Sequence, residues 1–426
     1  MTTNSANVKF NDDLERKFDA VNIDEAKANR TEFLLYIEAV HQHRGPDTAL
    51  DVLDRYRRKG LLPALAAIAL RQFASRTDDF GLASEYLNQL HSKAPQDGYV
   101  ASIYLEALLA DAQVDLVKAE LPTFLSKHGL GQSEQALQRL ARIAAVAGAW
   151  EACDQLLELE SLTPPDNPFF WQVMARRVEH AAKFSGQSIE VPALVVNLKR
   201  DRRKLTLSST LFPTLGIYPE RVEATNGNDL SPADVRQAVA GPGVTLGAGA
   251  IGCALSHISA WETIAEAGHD FALILEDDAL PFSLQDISQS ISCIDKFDVL
   301  FVNERMSALT TGHHGGSHSS LWDRLQSRPE SMKGWGTDGY IVSRNGATKL
   351  AEAIASDKIV GHIDGQLGSY GIQPHDEPVS RAQHVGKACR THLRSGLLLD
   401  VKCLDFPVVT AADFGYSSIK NSGGHR

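Results

Sequence analysis

The run Phe271-Ala-Leu-Ile-Leu-Glu276-Asp277-Asp278 constrains the fold more than any other stretch of this 426-residue chain. An unbroken apolar segment of that length, bounded by polar residues, predicts a strand buried on both faces of a sheet. In open α/β sheets, ligands gather outside the carboxyl ends of the strands. Three carboxylates placed there repel one another unless a cation neutralises them, and hard oxygen ligands suit Mg²⁺ or Mn²⁺. An ion held in this way can grip the phosphates of a nucleotide substrate. The plainer alternative is a strand end and turn with all three carboxylates solvated, since acidic residues are common in turns.

A chain of 426 residues is too long for one typical core, so two or three domains are expected. The net charge of −11 argues against a broad nucleic-acid footprint, and any anion site must be a local basic cluster. Met1 to Asn7 lacks the layout of a signal peptide, and no stretch reaches the ~18–20 apolar residues that span a bilayer. The expectation is a cytoplasmic protein with at most peripheral contact at the inner face of the membrane. Five cysteines (Cys153, Cys253, Cys293, Cys389 and Cys403) are scattered without Cys-x-x-Cys spacing. Reduced, mostly buried thiols are expected, with neither a disulfide framework nor a zinc site.

Two grammars divide the sequence. From about Asp13 to Lys183 the pattern is helical, and segments beginning near Pro63, Gly98 and Glu134 each read as two helices with a short turn. That period of about 35 residues resembles repeats of tetratricopeptide type. A domain 1–185 of this kind is a surface for a protein partner or for self-association, or a buttress for the second domain, 190–426. There Val191-Pro-Ala-Leu-Val-Val-Asn197-Leu198 reads as a strand, followed by the basic string Lys199-Arg200-Asp201-Arg202-Arg203-Lys204 and a helix over Leu205–Leu211. Cations at a helix N-terminus oppose the macrodipole and call for a compensating anion. Gly241 to Gly249 reads as a flexible loop, and Ala250 to Ile264 as an amphipathic helix in which a lone His257 is by default a satisfied core residue. Adjacent Ser256 and His257 diverge on a helix and make no nucleophilic dyad.

Three blocks then stand out together. They are Val195-Val-Asn197-Leu198-Lys199-Arg200-Asp201-Arg202-Arg203; Ile251-Gly252-Cys253-Ala-Leu-Ser256-His257 with Glu276-Asp277-Asp278; and Gly336-Thr-Asp338-Gly339-Tyr340 with Ile363-Asp364. In that order and spacing they resemble glycosyltransferase family 25, which includes lipooligosaccharide and collagen galactosyltransferases, from about Val191 to His384. The resemblance implies a GT-A-like α/β domain and a UDP-sugar donor, most commonly UDP-galactose. It also implies inverting transfer to a glycan or glycoconjugate acceptor such as lipooligosaccharide or another surface polysaccharide. Glu276-x-Asp278 takes the place of the metal-binding Asp-x-Asp, with His384 completing the site and His375 as fallback. Asn197, Arg200, Arg202, Arg203, Ser256, His257, Glu276 and Asp277 are the expected donor contacts. Asn226 stands where the family often has an acid, and the helical half lies outside the family pattern.

An inverting transfer needs a base on the acceptor hydroxyl and stabilisation of the departing diphosphate. A metal on Asp278, supported by Glu276 or Asp277, would neutralise the phosphates. Arg200, Arg202 and Arg203 suit phosphate because the guanidinium fork pairs bidentately with its oxygens. Asp364 and Asp338 compete as base. Trp335 reads as a core or lid tryptophan before it reads as a sugar-stacking one. The histidines of Gly312-His313-His314-Gly-Gly-Ser-His318 are spaced too irregularly to argue for a metal. Two rivals remain, a non-catalytic helical-repeat adaptor carrying a degenerate transferase domain, and another α/β nucleotide-using enzyme such as a nucleotidyltransferase.

Overall fold

The structure, a computed structural model, describes residues 12–60, 63–77, 80–162, 191–215, 217–241, 244–281, 297–306, 318–327, 335–404 and 407–411. The chain divides into two compact units, the first ending at Ala144 and the second beginning at Ala145. The described part of the first unit is helical throughout. Helices start at Pro63, Gly98 and Glu134, and a second helix follows each of them, at Phe80, Val114 and Trp150. Local chemistry sets these starts. Asp97 caps its helix by accepting from the backbone N–H of Tyr99 and Val100 at 3.0 and 3.2 Å.

The second unit is built on a mixed seven-stranded sheet in the order β2-β1-β3-β7-β5-β8-β6. The strands are β1 (Ala193–Asn197), β2 (Glu220–Glu223), β3 (Phe271–Glu276), β5 (Val299–Phe301), β6 (His318–Ser320), β7 (Gly339–Ser343) and β8 (Val401–Leu404). A two-stranded ribbon pairs β4 (Ala279–Pro281) with β9 (Val409–Ala411). β1 is parallel to β2 and β3, whereas β7 runs antiparallel between β3 and β5. The carboxyl ends of β1 and β3 therefore share an edge with the start of β7 and the end of β5.

Ala272 to Leu275 are buried, and alternate residues serve two cores as the period of two requires. Ala272 and Ile274 pack with Ile251, Ile258 and Trp261 of the helix Ala248–Glu266, while Leu273 and Leu275 face Phe212, Ile217 and Val409. β3 is thus the doubly buried strand that its composition predicts. The basic string departs from expectation. Its helix begins at Arg202, three residues before Leu205, so Arg202 to Lys204 form the first turn. Among the described residues, no helix is long and apolar enough to cross a membrane.

Candidate active site

Four carboxylates meet at the shared sheet edge. Glu276 ends β3, Asp277 and Asp278 form the turn that follows, and Asp338 directly precedes β7. The Glu276 N–H donates to the Asp338 carbonyl at 3.3 Å, which ties the two strand ends together. Two cations are built in. Lys204 Nζ lies 3.3 Å from Asp277 Oδ1, and the Arg305 guanidinium donates through both Nε and Nη2 to Asp338 Oδ1. The anion demanded by the basic helix start is, for Lys204, the protein's own Asp277. Burial acts to lower the Lys204 ammonium, but Asp277, Asp278 and Asp201 outweigh it and hold the group above its ordinary value.

Glu276 and Asp278 form no ion pair with any lysine or arginine among the described residues. Glu276 is half-buried, which raises its carboxyl, yet His257 alongside it, the Thr337 hydroxyl donating at 2.6 Å and the Arg305 charge hold it below the usual range. Asp278 goes the other way. Burial, reinforced by the charge of Glu276, pushes it well up, and its Oδ1 is buried with no hydrogen-bond partner. Asp338 is raised to about 6, again chiefly by burial, and its Oδ2 is a second buried oxygen without a partner. Burying an unpaired carboxylate is costly. The donor set, two carboxylates without a Lys or Arg partner and one oxygen left open, fits a hard divalent cation.

The Gly-Cys-x-x-Ser-His block explains the opposite wall. A Cβ on Gly252 would stand 2.5 Å from the Thr225 carbonyl and 2.6 Å from the Gly227 nitrogen, so only glycine lets the loop after β2 lie against the helix. Ser256 Oγ then accepts from the Thr225 N–H at 2.8 Å and donates to the Gly252 carbonyl at 2.6 Å. Cys253 and His257 complete the wall. A pocket opens between it and the acidic edge, lined also by Arg200, Lys204, Thr225 to Asn228 and Gly249. Burial and the surrounding carboxylates, Glu276 first, push the Cys253 thiol well up.

Not every expected residue reaches this pocket. Asn197 is buried and acts as a bracket, donating to Asp277 Oδ2 and the Asp201 carbonyl at 2.8 Å each and accepting from Arg221 Nε at 3.0 Å. Arg202 is exposed and absent from the lining, and the Arg203 side chain lies outside the described residues, as do His313 and His314. His384 and His375 are exposed and do not line the pocket; His384 sits on the solvent side of the helix Arg381–Arg390, whose Ser380–Gln383 capping box fixes that face. Asp364 braces a turn. Its Oδ2 accepts from the N–H groups of Trp335 and Gly336 at 3.2 and 3.1 Å. Trp335 is buried against Gly368 and Gly386, the core role that its default reading gives it.

Sequence reading passed over Lys204, Arg305, Thr337 and Tyr340 as site residues. Lys204 had a signal, since it closes the basic string that begins at Lys199. Arg305 had none, because it joins Asp338 only through the pairing of β5 with β7. No curated protein matches the chain. Residues 191–364 match the family model Glycosyltransferase family 25 (LPS biosynthesis protein), and this part of the chain is a glycosyltransferase domain.

Proposed function

We propose that the domain moves a hexose, galactose first among candidates, from a UDP-sugar to a hydroxyl of a glycan or glycoconjugate acceptor such as lipooligosaccharide. Inversion at the anomeric carbon and dependence on Mn²⁺ or Mg²⁺ are part of the proposal. The observation that carries it is the pair Glu276 and Asp278, which line the pocket and form no ion pair with a lysine or arginine among the described residues. These two would hold the ion, which supplies positive charge for the leaving diphosphate. Arg200 on the pocket rim adds a guanidinium suited to phosphate, and the Thr225–Asn228 loop offers backbone groups for the nucleoside.

Neither candidate base lines the pocket, and Asp338 is fully buried beside it; of the two, Asp338 has the stronger support. One of its oxygens is unpartnered, and a carboxyl raised to about 6 takes up a proton more readily near neutrality than an ordinary aspartate. Arg305 on the other oxygen orients it. Asp364 serves better as the brace of the Trp335–Gly336 turn, which positions Thr337 and through it Glu276. Work in the cytoplasm, in peripheral contact with the inner membrane face, fits an acceptor on a lipid carrier, and the helical unit is then a surface for a partner or a second copy. The test is hydrolysis of a panel of nucleotide-sugars with Mn²⁺. UDP-hexose turnover that EDTA and Asp278→Asn both abolish is expected; a panel without any metal-dependent turnover or nucleotide-induced thermal shift would refute the proposal.

A further inference from the structure

Cys253 and His257 stand four residues apart on the helix Ala248–Glu266, so they leave the same face. Both look across at Glu276. One ligand atom from each, a thiol sulfur, an imidazole nitrogen and a carboxylate oxygen, lie within 4.8 Å of one another. His257 is fully buried, yet its Nε2 has no hydrogen-bond partner and rests 3.4 Å from Glu276 Oε1 without the alignment of one. Zinc bonds of about 2.0–2.2 Å to nitrogen and oxygen, at the tetrahedral angle, place the two ligand atoms about 3.4 Å apart. A contact that makes a poor hydrogen bond therefore has the length of one edge of a zinc tetrahedron.

The other imidazole nitrogen is supported as metal-bound histidines are. Nδ1 lies 2.9 Å from Tyr340 Oη, which accepts from Trp261 Nε1 at 2.8 Å. With a metal bound, the second Oη lone pair would accept an Nδ1–H, the tautomer that turns the Nε2 lone pair toward the cluster in place of an Nε2–H facing Glu276. Cysteine spacing alone argues against zinc, because it lacks a Cys-x-x-Cys. The helical Cys-x-x-x-His pair meeting a carboxylate from another strand is visible only in the fold.

We infer that Cys253, His257 and Glu276 form a binding site for a thiophilic divalent cation of the Zn²⁺ class. It is separate in donor chemistry from the all-oxygen pair Glu276 and Asp278, and it shares Glu276 with that pair. Its fourth position opens into the pocket, where water or a phosphate oxygen completes the tetrahedron. On binding, the S–H bond breaks, its proton passes to solvent and the sulfur bonds the metal, with no change in oxidation state. Because zinc draws on Glu276, which the oxygen-ligated ion also uses, zinc weakens manganese binding and inhibits turnover. This last consequence rests on the transferase reading; the site itself does not.

The test uses Co²⁺ as a spectroscopic substitute, added to the full chain without other metals. One equivalent is expected to give a thiolate-to-cobalt charge-transfer absorption in the near ultraviolet. The band should disappear in Cys253→Ser and Cys253→Ala and persist in Asp278→Asn, and circular dichroism of each variant verifies folding. His257→Gln, which keeps the thiol, should weaken Co²⁺ binding at least tenfold and covers the case in which both cysteine variants misfold. No band at stoichiometric Co²⁺, or a band that survives in folded Cys253 variants, overturns the site. In the turnover arm, zinc should inhibit Mn²⁺-dependent donor hydrolysis competitively, and at least tenfold more weakly in Cys253→Ala measured against that variant's own uninhibited rate. The absorbance arm requires no turnover, so failure of the transferase reading and failure of this site are read separately.

Discussion

Replacing Asp278 by asparagine should stabilise the metal-free protein while abolishing its response to metal. Asp278 is titratable with an ordinary value of 3.8, and burial together with Glu276 pushes it up in the fold. A group whose folded value is raised carries no penalty below its unfolded value, and the penalty grows as pH rises toward the folded value. At pH 7 the ceiling is the cost of keeping the carboxyl neutral over the interval from 3.8, about 4 kcal/mol at 1.36 kcal/mol per unit. Partial exposure and relaxation reduce this to about 2 kcal/mol, or about 4–8 °C for a domain of this size. The assay is thermal melting in EDTA at pH 5 and pH 7.5, then with Mn²⁺ and UDP. In EDTA the variant should melt above wild type at pH 7.5, with a smaller advantage at pH 5. With Mn²⁺ and UDP at about 100 times Kd, wild type should gain about 2.7 kcal/mol and the variant nothing, so the order inverts. A variant that melts below wild type in EDTA at both pH values would refute the electrostatic reasoning, because packing would then explain the loss.

Gly252→Ala should destabilise the domain by about 1–3 kcal/mol in chemical denaturation and weaken UDP binding, because its Cβ meets the backbone of Thr225 and Gly227; unchanged UDP affinity would show that the loop does not build the donor pocket. Lys204→Met should cost about 3–5 kcal/mol by leaving Asp277 buried without its cation, and Lys204→Met with Asp277→Asn should recover most of it. Asp338→Asn should lower kcat at least a hundredfold with little change in UDP affinity, whereas Asp364→Asn should lower both through the Gly336 turn; the reverse pattern in steady-state kinetics would reassign the base. A fragment from Ala145 to Arg426 should retain Mn²⁺-dependent UDP binding by calorimetry, since every residue lining the pocket lies within it.

How much of this was legible depended on whether one stretch of sequence carried the whole signal. β3 was legible because burial on both faces leaves an unbroken apolar run, and the turn after it broadcasts three carboxylates. The helix starts at Pro63, Gly98 and Glu134 were legible for a similar reason, since proline, glycine and acidic first-turn residues act locally. Strands of three residues such as β5 and β6 are too short for a period of two to register, and with β5 went Arg305, whose only route to Asp338 is strand pairing. The Ser256–His257 block was legible only in part. Neighbours on a helix do diverge, as the spacing says, but each meets a different partner brought in from elsewhere, Thr225 for one and Glu276 for the other. Asp364 illustrates the converse. The Ile363-Asp364 block suggests a base, and the N–H groups of Trp335 and Gly336 claim one of its oxygens.

The same asymmetry explains why the acidic edge tolerates so much unpaired charge. Asp277 and Asp338 each have a fixed cation, and Asn197 clamps Asp277 from the other side, so the turn geometry does not depend on a metal. Glu276 is held by Thr337 and flanked by His257, leaving Asp278 as the member with a buried oxygen that has no hydrogen-bond partner and no ion pair among the described residues. On the proposed metal reading, an unpartnered carboxylate oxygen with braced neighbours would be held ready for an ion and would gain most from one. That arrangement predicts a steep selectivity. Charge-neutral Asp278→Asn removes the gain, while Thr337→Val, which loosens Glu276 and leaves Asp278 intact, should weaken Mn²⁺ binding by about tenfold without abolishing it. Calorimetric titration of Mn²⁺ in the presence of UDP separates the two, and equal losses in both variants would mean that the charge is shared across the edge and not focused at Asp278.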